Sequence, residues 1–146
     1  MRLALASDHR GFELKSKIAG ALQSDGHTVT DLGCSGPDPV DYPDYATAVC
    51  GSISEGQSDL GILICASGIG MSIAANKYGG IRAAVCCNAD MAGRSRRHND
   101  ANVLCLGSDF VSGNQGIEIT RAFVSSSFEG GRHQRRLDKI AKTEQR

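Results

Sequence analysis

The sequence predicts an α/β fold: a three-layer α/β/α sandwich around a five-stranded parallel sheet, Rossmann-like in outline. Short apolar runs alternate with stretches of helical periodicity along the chain. The runs are nearly continuous instead of alternating with polar residues, as expected of strands covered on both faces. Glycine is abundant at 18 residues while aromatics are few and tryptophan is absent, which suits many tight strand-to-helix turns.

Each element follows in order. Residues 2–7 (RLALAS) make the first strand, followed by the polar turn Asp8, His9, Arg10, Gly11 and by Phe12, Leu14, Ile18, Ala21 and Leu22 at roughly helical spacing. Asp25-Gly26 ends that helix, and residues 27–32 (HTVTDL) alternate like a second strand. The loop GCSGPDPVDYPD holds all three prolines, and a helix over 45–54 follows with Asp44 available as its N-cap. Residues 60–65 make a central strand, from which a turn with Gly68 and Gly70 leads into a helix over 69–77. Gly79-Gly80 closes that helix, and residues 81–87 (IRAAVCC) make the fourth strand. A helix over 88–97 ends at His98-Asn99-Asp100, residues 102–106 make the fifth strand, and a loop over 107–114 precedes a helix over 115–125. A charged segment is helical from about Arg132 to residue 144. Residues 1–146 read as a single domain without repeat or linker.

Sixteen basic and sixteen acidic residues balance, so the chain lacks a global electrostatic footprint for nucleic acid. No apolar stretch approaches the length of a membrane span, and the N-terminus is too soon charged for a signal peptide, which points to the cytoplasm. The six cysteines form no C-x-x-C pair and read as free thiols in a reducing compartment.

Ligands of such sheets bind beyond the carboxyl ends of the strands. That rule gathers Asp8 and His9, Cys65 and Ser67, and the loop around Asp41, Tyr42 and Pro43 onto one rim. Cys65 falls close to a helix N-terminus, where a thiolate is stabilised, and can act as nucleophile or general base. Amides around Gly68 and Gly70 offer an anion hole. In SGIGMSI, however, Ile73 stands where a dinucleotide fingerprint needs its third glycine, and no G-K-[ST] follows, so an oxyanion or enediolate fits better than a pyrophosphate. The same stretch also fits an ordinary βα turn with a small core cysteine. His98 falls at the amino end of the sheet in its own subunit, as a cap or surface residue unless a dimer brings it to a partner's site. Arg132 and Arg136, four apart on one helix face, can grip a phosphate or stand in solvent.

Six blocks, SDHRGFELK, VDYPDYA, GILICASGIGMSIAANK, GIRAAVC, RRHNDANVL and FEGGRHQRRL, occur in an order that resembles the type B ribose-5-phosphate isomerase family, which also includes galactose-6-phosphate and allose-6-phosphate isomerases. The resemblance implies a homodimer or tetramer with sites shared between subunits, a C-terminal helix packing on the partner, and no metal or cofactor. It implies that Cys65 moves a proton between C2 and C1 of the open-chain sugar through an enediolate held by amides of the turn Ser67, Gly68, Ile69, Gly70, Met71, Ser72. Ser67 shuttles a proton between the sugar oxygens, and His98 of the neighbouring subunit opens the furanose ring with Asn99 beside it. His9, Arg132 and Arg136 hold the phosphate, Asp8 binds sugar hydroxyls, and Tyr42 joins the substrate contacts.

Some members use a glutamate in the turn where this chain has Met71, which leaves the base to Cys65. Ala66 replaces a usual glycine, and Asp109 stands where many members have an arginine near the phosphate. The expected activity is interconversion of ribose 5-phosphate and ribulose 5-phosphate in the pentose phosphate pathway. A six-carbon aldose 6-phosphate isomerase and a non-catalytic sugar-phosphate-binding module are the alternatives.

Overall fold

The computed structural model describes residues 1–145. Five parallel strands form one sheet in the order β2-β1-β3-β5-β4: β1 (Arg2–Ser7), β2 (Thr28–Asp31), β3 (Leu60–Cys65), β4 (Ala83–Val85) and β5 (Val103–Gly107). Six helices complete the described residues: α1 (Phe12–Ser24), α2 (Tyr42–Ser54), α3 (Ile69–Ala75), α4 (Ala89–Asn99), α5 (Gly113–Ser125) and α6 (Arg132–Glu144). Among the described residues no helix is long and apolar enough to cross a membrane.

Side-chain alternation along the strands divides the core in two. Leu3, Leu5, Ile62, Ile64, Leu104 and Leu106 face one way and pack on Leu14 and Ile18 of α1 and Ile119 and Phe123 of α5. Ala4, Ala6, Leu63, Cys65, Val103 and Cys105 face the other way, against Ala46, Val49 and Cys50 of α2 and Met71 and Ala75 of α3. Each large apolar side chain buried this way contributes about 1.5–3 kcal/mol. The chain leaves β1 towards β2 and leaves β3 towards the opposite edge, so the turns after β1 and β3 part and open a crevice between them. Register places Ser7 beside Ile64, so Asp8 follows β1 next to Cys65.

Strands β2 and β5 and helix α3 shift by one or two residues from the sequence expectation, and four elements differ in ways that bear on the site. Helix α2 begins at Tyr42, with Asp41 at its N-cap position in place of Asp44, because a proline (Pro43) fits the first helical turn, where no amide donor is needed. Strand β4 spans just Ala83–Val85 at the sheet edge, half-buried throughout. Helix α4 continues through His98 and Asn99, and Asp100 ends it in a left-handed conformation (φ 44°) while its carboxylate binds Arg82 and Arg96 at 2.9 and 2.8 Å. Helix α5 starts at Gly113, where Ser112 and Gln115 form a reciprocal capping box.

Candidate active site

Cys65 ends β3 and is 5% exposed, on the face covered by α2 and α3. Its Sγ accepts a hydrogen bond from the Gly68 amide at 3.1 Å. Gly68 lies at φ 78°, and a Cβ there would stand 2.9 Å from the carbonyl carbon of Leu106, so both conformation and space require glycine. Ser67 Oγ accepts from the Ile69 amide at 3.2 Å, and Ser72 Oγ donates to the Ile69 carbonyl at 2.8 Å. Those bonds leave the amides of Gly70 and Met71 in the first helical turn, where no intrahelical acceptor exists. The Met71 side chain is fully buried in the core, so Met71 meets a ligand in this turn through its amide, whereas the Ile69 amide is taken by Ser67 and its side chain is exposed. Tyr42, at the start of α2, lays its ring over the turn: a Cβ on Gly70 would stand 2.6 Å from that ring.

The turn after β1 adds the second wall. Asp8 is buried, and its Oδ1 accepts from the amides of Arg10 and Gly11 at 2.9 and 3.1 Å. His9 Nδ1 accepts from the Val40 amide at 3.2 Å. A neutral imidazole accepting at Nδ1 carries its proton on Nε2, which leaves that N–H as a donor. The loop bearing Val40 is anchored by Lys15, a residue the sequence reading passed over. Lys15 is 1% exposed, and its ammonium binds the Asp31 carboxylate and the Cys34 carbonyl. Its position beside Leu14 in a stripe continued by Ile18 and Leu22 was the available signal.

The remaining expected residues lie elsewhere. Helix α4 runs from the carboxyl end of β4 to the amino end of β5, which carries His98 and Asn99 to the opposite end of the sheet from Cys65. There His98 stacks on His133 of α6 with ring centroids 4.4 Å apart and planes 10° from parallel. Glu129 lies 3.9 Å from His133 Nε2 and 3.8 Å from Arg97 Nε. Burial, then His98, Arg132 and Arg136, holds His133 below the usual imidazole range, against the pull of Glu129. The donor atoms of His98, Glu129 and His133 lie within 4.8 Å of one another. With the guanidinium groups of Arg97, Arg132 and Arg136 around them, the patch suits an anion better than a metal cation. Beside it a cavity of about 560 Å³, lined by Asn99, Ile81, Ala84, Leu137 and Ile140, opens between α6 and the sheet edge.

One chain therefore holds two groups at opposite ends: a thiol, amides and the His9 donor at one, and two imidazoles with guanidinium groups at the other. The first offers a base beside an anion hole, which is the equipment for abstracting a proton next to a carbonyl. The second offers acid–base rings and anion binding.

Comparison with known proteins bears on this arrangement. A family model described as Ribose/Galactose Isomerase matches residues 3–140. Ribose-5-phosphate isomerase B of Escherichia coli (strain K12) is 45% identical over 145 residues, covering 99% of this chain and 97% of that one. The solved structure of Clostridium thermocellum ribose-5-phosphate isomerase B matches with a TM-score of 0.98 at 46% identity, covering 99% of this chain and 98% of that one. A Mycoplasma genitalium ribose-5-phosphate isomerase B, solved with bound ribulose-5-phosphate, matches with a TM-score of 0.95 at 44% identity, covering 99% of this chain and 96% of that one.

Proposed function

The chain belongs to the Ribose/Galactose Isomerase family, and we infer that it interconverts ribose 5-phosphate and ribulose 5-phosphate. It is an aldose–ketose isomerase. The reaction needs one base that takes a proton from C2 and returns it to C1, together with a charge sink for the enediolate between them. The observation that carries the mechanism is the Cys65 thiol at the carboxyl end of β3, 3.1 Å from the Gly68 amide.

On this reading Cys65 is the base, and within the turn from Ser67 to Ser72 the unpaired amides of Gly70 and Met71 hold the enediolate. Ser67 Oγ passes a proton between O1 and O2, while Asp8, whose Oδ1 is occupied by two amides, offers Oδ2 to a sugar hydroxyl. His9 donates from Nε2 to the phosphate. Because His98, Asn99, Arg132 and Arg136 sit at the far end of the sheet, they serve a second copy of the chain. A two-fold pairing that sets one chain's amino-end patch against the other's thiol rim completes two sites at once. The apolar groove beside α6, with Ile140 48% exposed, supports packing of that helix on the partner.

The test is isomerase activity of the purified, chelator-treated protein on ribose 5-phosphate, beside allose 6-phosphate and galactose 6-phosphate. Preference for the pentose, unchanged by chelator, is expected. Turnover of a hexose phosphate alone would move the substrate, and turnover of none would overturn the reading.

A further inference from the structure

One charged pair on the rim has no part in that mechanism. In the sheet β3 lies between β1 and β5, and the turns after those two strands meet over its carboxyl end. The Asp8 amide donates to the Ile64 carbonyl at 3.1 Å, and the amides of Ser108 and Asp109 donate to the carbonyls of Cys65 and Ala66 at 2.9 Å each. The side chains then close the gap: Arg10 Nη2 donates to Asp109 Oδ1 at 3.2 Å, with Oδ2 at 3.5 Å. Their side chains are 58% and 49% exposed, and an ion pair so open to water adds little stability. Stability therefore does not explain why a guanidinium is pinned across the end of the strand that bears Cys65.

Chemistry offers a better account. The Asp109 contact engages one guanidinium nitrogen, Nη2, and leaves the donors on Nε and Nη1 for another acceptor. Arg10 also follows directly on His9, whose Nε2–H is free because Nδ1 accepts from Val40. A guanidinium held on one side by a carboxylate and open on the other is suited to a phosphate, which accepts from its fork of N–H groups.

We propose that Arg10 is a phosphate-binding residue of this chain, aimed by Asp109 and acting beside His9 from the same subunit as Cys65. The proposal rests on the sugar-phosphate isomerase reading and extends it. The anion at position 109 then orients a cation instead of opposing the substrate, and the phosphate is gripped from both subunits: by His9 and Arg10 of one, and by Arg132 and Arg136 of the other.

The test compares wild type, Arg10→Ala and Arg10→Lys in ribose 5-phosphate kinetics, in competitive inhibition by inorganic phosphate, and in calorimetric titration with phosphate. Losing a charge-assisted hydrogen bond should raise both KM and the phosphate inhibition constant about tenfold or more in Arg10→Ala. The same variant should keep kcat within about threefold, since phosphate contacts act in ground and transition states alike. Arg10→Lys should recover part of the loss. Unchanged KM and phosphate affinity in Arg10→Ala, or a fall in kcat at constant KM, would overturn the proposal. If wild type fails to turn over the sugar phosphate, the isomerase reading fails on its own. The calorimetric titration still decides on Arg10, because equal or undetectable phosphate binding by wild type and Arg10→Ala counts against it.

Discussion

The Gly68 amide donates to the Cys65 sulfur at 3.1 Å, across a turn that no other residue at position 68 can make without strain. The bond ties the aim of the thiol to the backbone path into α3. An alanine at 68 would force a side chain to φ 78° and against the Leu106 carbonyl. Gly68→Ala should cost about 1–3 kcal/mol of stability. It should also lower kcat roughly a hundredfold by displacing the thiol from its target. Gly36→Ala, where an added Cβ meets nothing within 4 Å, is the control and should leave both unchanged. Urea unfolding and steady-state kinetics on the two variants check this.

The separation of Cys65 from His98 predicts complementation between subunits. On the proposed two-fold pairing, Cys65→Ala and His98→Asn should each be nearly inactive alone. After the two are mixed under conditions that exchange subunits, about a quarter of wild-type activity should return, since half the dimers are mixed and each holds one intact site. A mixture no more active than its parts would place both groups in one subunit's site.

Burial pushes the thiols of Cys50 and Cys86 up to about 11 and raises that of Cys105 as well, whereas Cys87 is exposed. Iodoacetamide at pH 8 should label Cys87 without loss of activity, since nothing in the mechanism uses it. Labelling of Cys65 should track inactivation and slow in the presence of substrate, while Cys50, Cys86 and Cys105 stay unlabelled. Peptide mass mapping against residual activity reads all of these.

His133 is held below the ordinary imidazole range by burial and by His98, Arg132 and Arg136. The unfolded chain takes up a proton at this residue near pH 6.5, and the native chain does so at a lower pH. Between those values the unfolded state binds more protons, so stability falls as pH drops below about 6.5 and levels off once the native ring is also charged. Urea midpoints measured from pH 7.5 to 5 should show this decline, and it should be shallower in His133→Gln.

Particular residues show what the sequence could and could not convey. Strands β1 and β3 and helix α6 were legible to the residue, because unbroken apolar runs and a charged helical segment are local signals. The thiol turn was legible for the same reason. The start of α2 is obscured in the sequence because Pro43 follows closely on the two prolines of the preceding loop, although a first helical turn accepts one. Lys15 was missed because a lysine reads as surface, and its acceptors, Asp31 and Cys34, come 16 and 19 residues later. Asp109 stood out as an anion in an unexpected place, yet its partner Arg10 lies 99 positions away and shows only when β1 and β5 flank the same strand. Contacts made by folding across the sheet leave no pattern along the chain.

The most direct test of the account is the turnover of ribose 5-phosphate by Cys65→Ala beside wild type. If Cys65 is the base, kcat should fall by roughly two to four orders of magnitude while KM stays within a few-fold. A variant that keeps near wild-type kcat would contradict the thiol mechanism outright.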